Sequence, residues 1–484
     1  MEQLANLRRL GLFDARVPRY TSYPPATAFN TQTGQEFQTQ CLKSLDPATP
    51  VSVYVHIPFC ERLCWFCACR TQGTTTLKPV AHYLEIVKQE LEHLRATLPE
   101  GVQMGQLHWG GGTPTILPAD MIRTLAQAIK DVIPPAPDFS FSVEIDPTLV
   151  DDSKIAALAE MGMTRASIGI QDFAPDVQAA IGREQSFEDT KACVDSLRRA
   201  GITSLNADLV YGLPYQDTAK LADTIEKVRL LDPDRIALFG YAHVPTFSKR
   251  QKLIPDASLP GEEARYLLAQ QAARAFKTYG YEAIGIDHFG KPDDALTLAS
   301  KAGHLRRNFQ GYTDDSWPNL IGIGASSISQ FAQGYVQNAS ATAAYIARVE
   351  AGVLSGHRGY QMTAQDRLRA TAINMLMCDF EIDLDVLGTH ADAADLAPIH
   401  AGILPIGRID GLPCFLNPPR FKKTASDFSG NLWCLSCQIT LLVYLGVCIS
   451  FNIRNLFERC AQRVVVRQIT FRRGDPSLKV LQSF

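Results

Sequence analysis

From Val51 to Asp287, short β-branched and apolar runs alternate with longer stretches in which apolar residues recur every three or four positions. The first kind reads as buried strands and the second as amphipathic helices. The strand candidates are Val51 to Ile57, Gln106 to Trp109, Phe139 to Ile145, Arg165 to Ile170, Leu205 to Val210, Ile236 to Gly240 and Glu282 to Ile286. Predicted helices between them are Val80 to Leu98, Ala119 to Val132, Phe187 to Ala200, Thr218 to Leu231 and Gly261 to Tyr279. Repeated strand–helix units predict an α/β fold around a parallel sheet, a βα barrel or partial barrel. Further on, Ala341 to Val353 and Ala364 to Cys378 read as helices that begin a smaller C-terminal helical domain.

In a βα barrel the chemistry sits where strands end and the following loops begin. Here the apolar runs pass into His56-Ile-Pro-Phe-Cys60, His108-Trp-Gly-Gly-Gly-Thr113, Glu144-Ile-Asp-Pro147, Gly169-Ile-Gln-Asp172, Asp208-Leu-Val-Tyr-Gly212 and Tyr241-Ala-His-Val-Pro245. Six loops are therefore predicted to converge on one mouth.

Composition adds little beyond class. The 484 residues are 46% hydrophobic and 20% charged with a net charge of −3, an ordinary soluble globular balance that gives no reason to expect nucleic acid. The N-terminus, Met1 to Leu10, has no apolar segment of signal-peptide length, so the expected location is cytoplasmic. In that compartment twelve cysteines argue for metal ligands or reactive thiols rather than a disulfide framework. Cys41, Cys193 and Cys378 stand alone and read as small buried hydrophobes.

Four cysteines fall within ten residues, in the run Cys60-Glu-Arg-Leu-Cys64-Trp-Phe-Cys67-Ala-Cys69. The C-x3-C-x2-C spacing lets one loop wrap three thiolates around an iron–sulfur cluster, with one iron left open to an exogenous ligand. Zinc is the competing reading, but structural zinc usually takes two ligand pairs separated by a spacer. Cys69 is then a spare thiol beside the substrate. Gly110-Gly111-Gly112 would let backbone donors approach a ligand, or serve only a tight turn. Glu144, Gln171 and Asp208 at strand ends, taken singly, read first as helix caps or solvated loop residues and second as ligand contacts. Arg183 would pair a carboxylate or make a surface ion pair; His243 and His288 would be acid–base groups or structural histidines.

The cysteine loop directly after Tyr54-Val-His-Ile-Pro-Phe-Cys60 resembles that of radical S-adenosylmethionine enzymes. Leu107-His-Trp-Gly-Gly-Gly-Thr-Pro114, Ile168-Gly-Ile-Gln-Asp-Phe173, Asp208-Leu-Val-Tyr-Gly-Leu-Pro214, Tyr241-Ala-His-Val-Pro-Thr246 and Arg307-Asn-Phe-Gln-Gly-Tyr-Thr313 resemble the oxygen-independent coproporphyrinogen III oxidase family, over about residues 15 to 400. The related haem-chaperone branch, a non-catalytic alternative, shares the cysteine loop and triple glycine. The arm Pro18-Arg-Tyr-Thr-Ser-Tyr-Pro24 and Cys69 favour the oxidase branch.

The resemblance implies oxidative decarboxylation of coproporphyrinogen III to protoporphyrinogen IX in porphyrin and haem biosynthesis. It proceeds without molecular oxygen, through a 5'-deoxyadenosyl radical made from S-adenosylmethionine at a [4Fe-4S] cluster. By matching position, Cys60, Cys64 and Cys67 are the cluster ligands. Tyr54, Gly111, Glu144 and Ile328 contact a first S-adenosylmethionine, and Phe66, Gly112, Thr113, Gln171, Arg183, Asp208 and Ala242 a second. Cys69 and Tyr54 are the expected catalytic residues. The implied partners are a low-potential electron donor such as flavodoxin or ferredoxin and an electron acceptor, with a monomer expected and no membrane.

The expected division is an N-terminal arm over 1–48, the radical S-adenosylmethionine barrel with its [4Fe-4S] site over 49–290, and the start of a C-terminal substrate-covering domain over 291–400. Residues 401–484 form an atypical tail. They carry eleven Lys and Arg against four Asp and Glu and five of the twelve cysteines, and the resemblance ends where that shift begins. The expectation is that the tail leaves the native reading frame. Its run Leu435 to Phe451 is at the short edge of bilayer length but is interrupted by Ser436, Gln438, Thr440 and Ser450.

Overall fold

Seven parallel strands form the centre of one twelve-stranded sheet in the computed structural model, which describes residues 2–9, 13, 23–383, 386–387 and 421–422. The strands are β1 Val51–Ile57, β2 Met104–Gly111, β3 Pro135–Ile145, β4 Arg165–Gln171, β5 Ser204–Tyr211, β6 Arg235–Gly240, β7 Glu282–Ile284, β8 His288–Gly290, β9 Leu320–Ile323, β10 Ile328–Phe331, β11 Gly334–Asn338 and β12 Gly356–Gln361. Their order is β12-β11-β10-β9-β1-β2-β3-β4-β5-β6-β8-β7, with β9 and β1 to β6 parallel and both flanks antiparallel. The end strands β12 and β7 are not paired with each other, so the sheet is a partial barrel rather than a closed one.

Each central strand has two faces of different chemistry because successive side chains alternate. Leu107 and Trp109 of β2, Phe141, Val143 and Ile145 of β3, Ala166, Ile168 and Ile170 of β4, and Leu205, Ala207 and Leu209 of β5 are buried in the main core. The intervening His108, Ser142, Glu144, Ser167, Asn206 and Asp208 line a cavity instead. Outer helices complete the core. Ala119–Val132 buries Ile122, Leu125, Ala126 and Ile129 at helical spacing, and each buried Ile or Leu side chain contributes about 1.5–3 kcal/mol. Helix starts are set locally: Asp217 accepts from the backbone of Ala219 and Lys220, and Ser186 from that of Asp189.

Two features depart from the sequence reading. The strand expected over Glu282 to Ile286 stops at Ile284 and pairs antiparallel with β8, because the chain turns at Gly285. Gly285 has φ 53°, and a Cβ there would lie 2.1 Å from the Tyr312 ring. The region after residue 290 is also less helical than expected: β9 adds to β1 in parallel and β10 to β12 extend the sheet. Those strands hold four to six residues each, too short for periodicity to announce them. Short helices at Gln35–Lys43, Asp152–Glu160 and Pro175–Ile181 escaped the pattern for the same reason.

Among the described residues no helix is long and apolar enough to cross a membrane. Residues 18–22 of the expected N-terminal arm lie outside the described residues. So does nearly all of the tail, including Leu435 to Phe451 and its five cysteines.

One buried carboxyl ties the C-terminal strands to the first outer helix. Glu90, on helix Lys78–Arg95 and 1% exposed, accepts from Asn338 Nδ2 at 2.8 Å, Gly324 N at 2.8 Å and the Tyr345 hydroxyl at 2.7 Å. Burial pushes its pKa up to about 7 despite those donors. A carboxyl whose folded pKa is raised stabilises the fold most below its unfolded value near 4.5, and that contribution is lost as pH rises through about 7. Glu90→Gln cannot ionise. The stability of wild type relative to Glu90→Gln should therefore fall by roughly 3 kcal/mol between pH 4.5 and 8 in denaturant melts, and a pH-independent difference would contradict this.

Candidate functional site

The cysteine loop leaves the C-terminal end of β1 and is closed at its base by a two-residue parallel ribbon, Phe59–Cys60 with Gln72–Gly73. Gln72 N donates to Pro58 O at 2.7 Å and Thr74 N to Cys60 O at 3.0 Å. Two further segments brace the loop from outside. Trp65 N donates to Ile181 O at 2.8 Å, and Arg62 to Glu184 O at 3.0 Å. On the other side a 3-10 turn, Lys249–Leu253, turns its donors onto loop carbonyls. Ser248 Oγ donates to Cys67 O at 3.0 Å, Arg250 to Cys69 O at 3.2 Å, and Gln251 Nε2 to Phe66 O at 2.8 Å and Ala242 O at 3.1 Å. Nothing in the sequence pattern flagged Ser248, Arg250 or Gln251, since partners some 180 residues apart leave no local signature.

The loop opens on a cavity of about 190 Å³. Cys60, Cys64, Cys67, Cys69 and Phe66 line it from one side, and Gly111, Gly112, Thr113 and Glu144 from another. Gln171, Arg183 and Asp208 close it, so twelve of the fifteen site residues expected from sequence meet in one place. The other three, Tyr54, Ala242 and Ile328, are not among its lining residues. Tyr54 lies just beneath, its ring stacked on His108 at 5.7 Å. Its hydroxyl is 3.1 Å from His56 Nδ1. Because His56 Nε2 faces Arg70 O at 3.0 Å and a carbonyl only accepts, the ring proton belongs on Nε2 and Tyr54 donates to Nδ1. Ala242 lends its carbonyl to Gln251. Ile328 is buried against Phe29 and Tyr335 on β10.

The glycines form a cradle with no room for side chains. A Cβ on Gly112 would lie 2.6 Å from Phe59 O and 2.7 Å from Ile57 O, and one on Gly111 (φ 108°) would lie 2.3 Å from the His56 ring. Gly111 N, pointing into this space, donates to Glu144 Oε2 at 3.1 Å. Gln171 at the end of β4 holds φ 69°, a conformation costing about 1–3 kcal/mol that often marks a site where geometry matters more than ease.

The thiols differ in character. Burial pushes Cys60 up to about 11. Cys67 is drawn down to about 6, first because the Cys69 thiol donates to its sulfur, then through the Cys69 backbone N–H and Arg250. Cys69 is held well above its ordinary value as the donor in that pair. Arg183 reaches Cys64 Sγ at 3.6 Å, Gly169 O at 2.9 Å and Asp146 at 3.5 Å, while its Nε is buried without a partner. A buried donor left without a protein partner beside a cavity is a group that a ligand acceptor such as a carboxylate would satisfy. Asp208 is pushed up to about 6, by burial first and by Glu144 as well, against hydrogen bonds from Ser167 and Asn206.

The donor set fits an iron–sulfur cluster. Four thiols of one loop, Cys60, Cys64, Cys67 and Cys69, line the same cavity, and soft thiolates on one short loop are the ligands that cluster irons take. The two histidines left open by sequence part company. His243 sits between the Tyr241 hydroxyl and Asp256, outside this cavity, and His288 pairs with Asp287 along a larger cavity of about 370 Å³. That larger space, within the partial barrel, shares Glu144, Ser167 and Asp208 with the cysteine cavity.

A profile of the radical SAM superfamily matches residues 54–228. The chain is 62% identical over 387 residues to the oxygen-independent coproporphyrinogen III oxidase of Cereibacter sphaeroides, an overlap of 80% of this chain and 86% of that one. To the oxidase of the same name from Paracoccus denitrificans it is 54% identical over 382 residues, 79% and 85% of the two chains. The solved structure of coproporphyrinogen III oxidase from Escherichia coli, a radical SAM enzyme, matches with a TM-score of 0.80 and 33% identity over 90% of this chain and 97% of that one. With three cluster-spaced thiols at the mouth of a partial barrel and identity of this extent, the chain belongs to the oxygen-independent coproporphyrinogen III oxidase family of radical S-adenosylmethionine enzymes.

Proposed function

We propose that the protein carries out the oxygen-independent oxidative decarboxylation of coproporphyrinogen III to protoporphyrinogen IX, a step of porphyrin and haem biosynthesis. The observation that carries this reading is the junction of the two cavities: the thiol cavity and the barrel cavity share Glu144, Ser167 and Asp208 as lining residues. Cys60, Cys64 and Cys67 would hold a [4Fe-4S] cluster. Such a cluster would supply one-electron reduction of S-adenosylmethionine, the radical chemistry that removal of hydrogen from a substrate propionate requires.

The protein's own groups orient and shield. Glu144, already receiving Gly111 N, suits the ammonium or ribose hydroxyls of a first S-adenosylmethionine beside Tyr54 and Ile328. Arg183, with its unpartnered Nε, suits a carboxylate of a second, together with Phe66, Gly112, Thr113, Gln171, Asp208 and the Ala242 carbonyl. Phe66 and the buried strand ends keep water from a reactive carbon radical. Cys69 and Tyr54 are proposed as catalytic, Cys69 through its contact with Cys67. A low-potential donor such as flavodoxin or ferredoxin and a separate electron acceptor complete the redox balance, and the protein is proposed to act as a monomer.

The haem-chaperone alternative finds no support, since the relatives named above are oxidases. Anaerobic reconstitution with iron and sulfide, reduction, and addition of S-adenosylmethionine with coproporphyrinogen III should release carbon dioxide and form protoporphyrinogen IX. Tight haem binding with no carbon dioxide would overturn the assignment.

A further inference from the structure

Among the described residues, one arginine of the larger cavity makes no ion pair within 4 Å, although Glu144, Asp208 and Asp287 line the same space. Three arginines line it, Arg165, Arg235 and Arg307. Arg235 makes a buried pair with Asp294 at 2.8 Å, and Arg165 lies 3.6 Å from Asp314. Arg307 has no acidic partner within 4 Å among the described residues, and its Nε is buried without a hydrogen-bond partner. Its guanidinium instead lies 5.1 Å from the centre of the Tyr312 ring. A ring face compensates a cation only in part, and a half-buried guanidinium with an idle donor is a poor arrangement unless an anion completes it.

The platform is rigid. Arg307 stands on a hairpin, Arg306–Asn308 with Gly311–Thr313, whose turn is closed by Asn308 Oδ1 accepting from Gln310 and Gly311. Arg307 N donates to Asn374 Oδ1 at 3.2 Å, and the Tyr312 hydroxyl donates to Met377 O at 2.7 Å. Both partners belong to helix Ala364–Asp379. A side chain so mounted is preorganised to receive a planar anion.

We propose that Arg307 is the anchor for a propionate carboxylate of the tetrapyrrole substrate, and specifically for one that does not react in that turnover. This rests on the function proposed above. Arg307 lines the larger cavity and a small neighbouring pocket beside Arg306, but not the thiol cavity, while the residues the two main cavities share are Glu144, Ser167 and Asp208. A carboxylate held by Arg307 therefore sits away from the radical-generating end, and its charge persists through the reaction. Coproporphyrinogen III carries four propionates and loses two as carbon dioxide. A retained carboxylate gives the ring a fixed handle while another propionate is presented at the junction.

The test uses the reconstituted full chain and two oxygen-stable fluorescent probes, coproporphyrin III and its tetramethyl ester. Arg307→Ala should bind coproporphyrin III about 10- to 100-fold more weakly than wild type, and Arg307→Lys should recover part of the loss. The ester should bind both proteins alike. Arg306→Ala removes a neighbouring guanidinium that donates to Ser316 O and should keep wild-type affinity for both probes. Visible absorbance of the cluster and the melting temperature verify that each variant is folded and loaded. Unchanged affinity in Arg307→Ala, or equal weakening of acid and ester, overturns the anchor. A wild type that releases no carbon dioxide from coproporphyrinogen III sinks the functional reading instead.

Discussion

Replacing Cys60, Cys64 or Cys67 singly with alanine is expected to give a folded protein that retains no [4Fe-4S] cluster and turns over coproporphyrinogen III at least about a thousandfold more slowly. Each thiol lines the same cavity and each would hold a different iron, so no neighbour can take a missing ligand's place without moving the loop. Cys69→Ala should behave differently. It removes the thiol donor to Cys67 but no cluster ligand, so iron and sulfide content should stay near the wild-type level while turnover falls. Iron and sulfide analysis with visible absorbance separates the cases. Loss of iron in Cys69→Ala as complete as in Cys67→Ala would show Cys69 to be a ligand and would end the three-thiol reading.

The second large effect is expected far from the loop in sequence. Gln251 is fully buried, and its amide holds Phe66 O and Ala242 O while its carbonyl oxygen accepts from Val244 N. Gln251→Leu keeps the volume and orphans all three backbone groups, each at about 1–3 kcal/mol. The strain falls on the segment carrying Cys64 and Cys67. Cluster loss to a chelator should accelerate about tenfold or more, with cluster occupancy after reconstitution reduced and the far-ultraviolet circular dichroism unchanged. Chelation kinetics equal to wild type would show that the 248–251 turn merely abuts the loop.

Much of the fold was legible because it is periodic. The helices Ala119–Val132 and Thr218–Leu231 and the strand Val51–Ile57 match the expected bounds residue for residue. The failures came where length or context outweighs pattern. Residues Glu282 to Ile286 carry a strand composition, but the approach of Tyr312 demands a turn at Gly285, and a contact from another segment cannot be read locally. Strands β9 to β12 are too short to stand out, and they are held by pairing with β1 and with one another.

The site divides in the same way. Cys60, Cys64 and Cys67 stood out because thiols on one loop at fixed spacing form a local pattern, whereas Gly111 and Gly112 read as a ligand cradle or a tight turn until the structure showed the closeness of Ile57, Phe59 and His56. Glu144, Asp208 and Arg183 were ambiguous as single residues. Alternation along β3 and β5 places Glu144 and Asp208 off the core faces, but it does not say that the opposite face encloses a cavity.

By itself, then, the sequence determined the elements, the parallel α/β class, the thiol loop and the family resemblance, all of which depend on residues near one another in the chain. Only the tertiary structure decided that the partial barrel continues through β9, that Ser248, Arg250 and Gln251 clasp the loop, and that Arg307 lines the larger cavity with no ion pair among the described residues. The reason is physical. Hydrogen bonds and charge balance between segments 100 to 250 residues apart depend on how the sheet curls and packs, and that geometry is set by the whole core at once.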